Sequence, residues 1–180
     1  MTERQASPPR VLVAVASHGR SKTLEETAKN VADILRASGA VVVRNVVAQA
    51  EATYINQLVS NVSNDNEADA IVMIGGTGFG PRDNTCEALN AFVDRRIEGF
   101  ADAYRRLLQE QAGMEIRAML TRATAGVYNR CVVFALTGRP ADVTRAIEHL
   151  IVPALADAVA LATGHARAYD ASVAPSRGPA

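Results

Sequence analysis

The chain has 180 residues, 48% of them hydrophobic, and its 19 basic side chains balance 19 acidic ones. That length fits one domain with a packed core, and the apolar content excludes a chain disordered throughout. Zero net charge, with no basic block and no basic-aromatic interleaving, argues against nucleic acid as a partner.

The opening MTERQASPPR has no apolar signal core, and an apolar run such as residues 70–74 is far shorter than a membrane span. A soluble, cytoplasmic protein with no membrane partner is therefore expected. Cys86 and Cys131 have no CxxC partner and no histidine at metal spacing, so both read as buried thiols. Lysine occurs only at Lys22 and Lys29, so any phosphate or carboxylate would be met mainly by arginine forks.

Residues 1–9 are expected to be a flexible N-terminus. Residues 11–16 (VLVAVA) form an apolar run without alternation, the pattern of a strand covered on both faces. Thr23 to Glu26 matches a capping box, and Leu24, Ala28, Val31 and Leu35 recur at helical spacing until Gly39. A second strand is expected over 40–47 and a second helix over 52–62, ended by the turn Asn64-Asp65-Asn66.

A third buried strand over 68–74 runs into IGGTGFGPRDNTCEA, and helices over 84–94 and 100–111 follow, with Arg95-Arg96 and Arg105-Arg106 assigned to helices. Tyr104, Leu107 and Leu108 share one helix face. Residues 131–136 (CVVFAL) are the last expected strand, and a helical pattern over 141–163 is expected to bend or break at Pro153. After Gly164, residues 165–180 read as a loose tail. The alternation of strands and helices predicts an α/β domain over 10–164, an open and mostly parallel sheet covered by helices on both sides.

In such sheets ligands bind at the carboxyl ends of the strands. Three loops are expected there: Ser17 to Ser21, Gly75 to Asp83, and Thr137 to Pro140. Glycines let backbone approach a ligand, and N–H groups at a following helix start suit a phosphate. The Gly-Lys-Ser/Thr of a Walker loop is absent, and Pro81 stands where GxGxxG needs its last glycine. Asp83 has two readings: an N-cap for the next helix, or a carboxylate for Mg²⁺ with Arg82 neutralising phosphate oxygens. His18 between Ser17 and Ser21 lacks an acid at triad-like spacing, which argues against a hydrolase.

Gly75-Gly76-Thr77-Gly78 followed by Pro81-Arg82-Asp83-Asn84-Thr85 and Glu87-Ala88 resembles the GGTG…RDxTxEA signature of the MoaB/Mog family of molybdenum cofactor biosynthesis. The resemblance continues through Glu98-Gly99-Phe100, Leu120 to Val127 (LTRATAGV) and Phe134 to Pro140 (FALTGRP), and covers roughly residues 10–164. It implies a three-layer α/β/α domain, a trimer or hexamer, that binds molybdopterin and uses Mg-ATP to adenylylate its terminal phosphate. It further implies that Gly75, Gly76, Thr77, Gly78 and Thr85 border the pterin phosphate or nucleotide. Asp83 is then the essential, metal-orienting carboxylate, and Gly138 and Arg139 line the pterin pocket. Ser17 and Arg82 complete the expected binding set.

Active members carry a Pro-Asp pair after the second strand, where this chain has Ala48-Gln49, and glutamine brings no charge to a metal ion. The first loop's Asp-x-Ser-Gly is represented only by Glu25 to Ala28, and the last loop has Thr137 and Arg139 in place of the usual residues. Two activities stay open on this reading: adenylyl transfer, or molybdopterin binding without it.

Overall fold

In the computed structural model, residues 7–111, 113 and 115–164 are described. The two expected flexible ends fall largely outside them. Strands β1 (Arg10–Ala16), β2 (Val41–Ala48), β3 (Ala70–Ile74) and β6 (Cys131–Leu136) are parallel. Two further strands, β5 (Thr124–Tyr128) and β4 (Arg95–Arg96), extend the sheet antiparallel, giving the order β2-β1-β3-β6-β5-β4.

The unbroken apolar runs follow from this placement. Side chains alternate across a strand. In β1, Val11, Val13 and Val15 enter one core while Leu12, Ala14 and Ala16 enter the other. Helices α1 (Lys22–Ala37), α4 (Gly99–Gln109), α5 (Glu115–Met119), α6 (Pro140–Ala146) and α7 (Val152–Thr163) cover the first face. The second is covered by α2 (Ala52–Asn64) and α3 (Thr85–Phe92). Each fully buried Val, Leu or Ile contributes about 1.5–3 kcal/mol, so the two cores hold the three layers together. Tyr104 and Leu108 are wholly buried and Leu107 nearly so, which places that helix face in the core.

Four local expectations change. The first helix is capped by Ser21, whose Oγ accepts from the Leu24 N–H at 3.4 Å. Thr23 lies inside that helix, and its carbonyl accepts from the Thr27 hydroxyl at 2.7 Å. Arg95-Arg96 is an edge strand and not helix, because α3 stops at Phe92 and the chain pairs Arg95 with Val127 and Arg96 with Gly126. The close approach needs glycine: a Cβ at Gly126 would lie 2.7 Å from Val93 Cγ2 and 2.9 Å from the Arg95 carbonyl oxygen.

Near Pro153 the helix does not break. It widens into a π-helical turn, Ile147–Ile151, closed by the Val152 N–H on the Ile147 carbonyl. Proline has no N–H for the α-type bond, and a π turn just before it keeps the rod continuous. The resulting run Pro140–Thr163 is, among the described residues, long and apolar enough by length and composition to cross a membrane. The apolar-run expectation missed it because it is interrupted by Asp142, Arg145, Glu148 and His149. Here Val143, Ala146, Ile147, Ile151 and Leu155 pack it onto the sheet.

Candidate functional site

The loops that leave β1, β3 and β6 meet at the carboxyl edge of the sheet and border a cleft of about 650 Å³. Its walls include Ser21 and Leu24, Gly75 to Gly78, Asp83, and Thr137 to Arg139. Arg117, Leu120, Thr121 and Arg122 line it as well.

The turn after β3 is built by close contacts that only glycine permits. Gly75 and Gly76 have φ of +98° and +63°. A Cβ on Gly75 would sit 2.7 Å from the Ala16 carbonyl oxygen, and one on Gly76 would collide with Thr85 Oγ1. Thr85 is wholly buried; its hydroxyl donates to the Gly75 carbonyl at 3.0 Å and its N–H to the Gly76 carbonyl at 2.9 Å. Its polar groups thus close the turn from within.

Asp83 closes the rest of the loop. Its Oδ2 accepts from the Gly80 N–H at 3.0 Å while its own N–H donates to the Gly80 carbonyl at 2.9 Å. Cβ atoms at Gly78 and Gly80 would lie 2.6 and 2.8 Å from that oxygen, so the carboxylate rests directly on glycine backbone. Both bare positions are needed to seat it at the cleft.

Of the residues read from sequence, Gly75, Gly76, Thr77, Gly78, Asp83, Gly138 and Arg139 come together around the cleft. Ser17, Arg82 and Thr85 lie outside its lining. Ser17 Oγ donates to the Gly19 carbonyl at 2.7 Å, Arg82 is an exposed side chain, and its carbonyl is 2.6 Å from His18 Nε2. Gln49 is also exposed and lines a separate depression with Tyr54 and Leu58.

Arg139 is held from behind. Its Nε lies 3.5 Å from Oδ2 of Asp142, a carboxylate only 2% exposed. That oxygen has no hydrogen-bond partner among the described residues, so Arg139 supplies its compensating charge across a distance too long for a good hydrogen bond. Beside it, Tyr104 Oη and Thr137 Oγ1 are 3.1 Å apart, and burial pushes the phenol's pKa well up, keeping it protonated. The thiols are equally inert: burial raises Cys86 to about 11 and Cys131 to about 12.

Sequence reasoning missed the wall from Arg117 to Arg122. Arg122 donates to the Thr77 carbonyl at 2.8 Å and pairs with Glu87 on α3, and that hydrogen bond holds the Glu87 carboxyl below the usual carboxylate range. The available signal was its place in the LTRATAGV block, but the strand that positions it carried no apolar run long enough to read.

Among the described residues no three His, Cys, Asp or Glu side chains converge as a metal cage. Among the described residues Asp83 is the one carboxylate lining the cleft, with Oδ2 accepting from the Gly80 N–H. This fits Mg²⁺, which takes one or two carboxylates and fills its shell with water and substrate phosphate.

Residues 11–157 match a family described as a probable molybdopterin binding domain. Among similar proteins, molybdenum cofactor biosynthesis protein B of Staphylococcus epidermidis is 39% identical over 105 residues, 58% of each chain. A probable molybdopterin adenylyltransferase of Methanocaldococcus jannaschii is 37% identical over 84 residues, 47% of this chain and 50% of that protein. The chain thus spans about half the length of these two relatives, 58% of the first and 50% of the second. A crystal structure of molybdenum cofactor biosynthesis protein B superposes with a TM-score of 0.81 at 28% identity, over 88% of this chain and 98% of that one.

Proposed function

Because the chain belongs to the family of probable molybdopterin-binding domains, whose work is molybdenum cofactor biosynthesis, we propose that it adenylylates the terminal phosphate of molybdopterin with Mg-ATP. An oxygen of that phosphate attacks the α-phosphorus of ATP. The new P–O bond forms as the α–β bridging bond breaks, and pyrophosphate leaves. The observation that carries this reading is the seat of Asp83, a carboxylate held against Gly78 and Gly80 in the glycine-rich loop that lines the cleft.

In this reading the glycine loop positions phosphate oxygens, and Arg139 and Arg117, which both line the cleft, supply guanidinium charge. Asp83 would hold Mg²⁺, which would supply charge stabilisation at the transferring phosphate. Thr85, Ser17 and Arg82 serve by shaping the two loops. We read the working protein as a cytoplasmic homo-oligomer, a trimer or hexamer. The exposed apolar side chains Ile116, Met119 and Leu120 beside the cleft support self-association, and sedimentation would count the subunits.

The test is direct: purified protein, molybdopterin and Mg-ATP, with mass detection of adenylylated molybdopterin and pyrophosphate. Asp83→Asn is expected to keep fold and pterin binding while turnover falls roughly 10²–10³-fold, the scale of removing one preorganised charge contact. Equal turnover would remove Asp83 from the reaction. A second reading, molybdopterin binding without transfer, is favoured by uncharged Gln49 and by a cleft lining that holds, among the described residues, no carboxylate besides Asp83. Tight pterin binding without product would select it, and a gain of product in Gln49→Asp would then mark a decayed metal site.

A further inference from the structure

Arg122 precedes β5 and reaches across to the loop that follows β3. Its Nε–H donates to the Thr77 carbonyl at 2.8 Å, and Nη2 donates to the carbonyls of Gly78 and Asp83, the latter at 3.3 Å. Nη1 and Nη2 also meet the Glu87 carboxylate on α3, and Cζ lies 4.9 Å from the centre of the Phe79 ring. One side chain therefore holds both ends of the loop and the first turn of the helix after it.

A planar trans peptide directs its N–H opposite its carbonyl, and no described peptide bond is cis. Turning the carbonyls of Thr77, Gly78 and Asp83 onto one guanidinium turns the N–H groups of Gly78, Phe79 and Asn84 away from it. Such rows of backbone N–H groups bind phosphate oxygens. The same contact fixes Asp83, whose carbonyl is on Arg122 while its carboxylate lines the cleft. The five donors of a guanidinium lie in one rigid plane, which a lysine ammonium does not reproduce. Most of those donors already end on protein acceptors, so Arg122 is built to hold the loop and not to hold a ligand.

We propose that Arg122 is the positioning residue of this site: it fixes the direction of the loop's peptide groups and the seat of Asp83. The role rests on the adenylyl-transfer reading, since what it positions is that reaction's carboxylate and phosphate donors. It acts before any substrate arrives, so it is visible in the ligand-free protein as well as in turnover.

The experiment compares wild type, Arg122→Lys and Glu87→Gln by amide hydrogen exchange over residues 76–84 without ligand and by steady-state adenylyl transfer. Arg122→Lys is expected to exchange this loop about ten-fold faster while β1, β3 and β6 stay protected. Its kcat should fall roughly 10²-fold, the cost of about an ångström of misplacement, with the KM for Mg-ATP little changed. Glu87→Gln leaves the guanidinium on the carbonyls and should lose much less. Wild-type loop exchange in Arg122→Lys overturns the proposal, as does a raised KM at unchanged kcat, which would make Arg122 an ordinary substrate contact. If wild type itself forms no product, the transfer reading fails, and the loop exchange alone decides whether Arg122 orders the loop.

Discussion

The distance between Asp83 Oδ2 and the two glycines beneath it sets what the loop tolerates. A methyl at position 78 would stand 2.6 Å from that oxygen, so Gly78→Ala must push the carboxylate off its seat. Because the displaced group is the one proposed to hold the metal, turnover in the proposed reaction should fall by about 10²-fold with little change in thermal midpoint, checked by kinetics beside calorimetry. Glu87 makes a different, pH-dependent contribution. Its carboxyl is held down by the hydrogen bond from Arg122, so the pair's stabilisation is complete above the unfolded value, near ~4.3, and is lost as pH falls through the lower folded value. Glu87 is more than half exposed, so the effect is small. Thermal midpoints of wild type and Glu87→Gln should differ by a constant amount above about pH 5 and converge in more acid solution; divergence there would contradict the pairing.

At the scale of elements, β1, β3 and β6 were legible because each is covered on both faces and reads as an unbroken apolar run. The cleft loops followed from them, since parallel strands place their carboxyl ends together. What the sequence hid has local causes. β5 is a short TAGVY with a glycine at its centre, and β4 is two arginines whose only qualification is a partner strand. Ser21 outcompeted the Thr23 capping pattern because a cap depends on where the backbone turns, which residue types alone do not set. Arg122 was hidden with β5, since nothing in residues 117–122 shows that they fold back over the glycine loop. Gly126 offers a check on the hidden edge: Gly126→Val would place branched carbon against Val93 and the Arg95 carbonyl. A loss of about 1–3 kcal/mol in denaturant unfolding is expected, against near-neutral behaviour if β4 and β5 were not paired.

Across the whole molecule, two separate cores share one sheet, and Ile71 on β3 lies fully buried in the one beneath α2 and α3. Ile71→Ala should cost about 2–5 kcal/mol, read as a lower urea midpoint. The order of the strands has a further result. β2 and β4 are the outermost members, whereas the three strands that carry the cleft loops are neighbours in the interior. When such a sheet comes apart gradually, its rims open first and its centre last. The floor of the cleft should therefore be the last part of the sheet to open, and on slow heating amide exchange should rise in β2 and β4 before it rises in β1, β3 and β6.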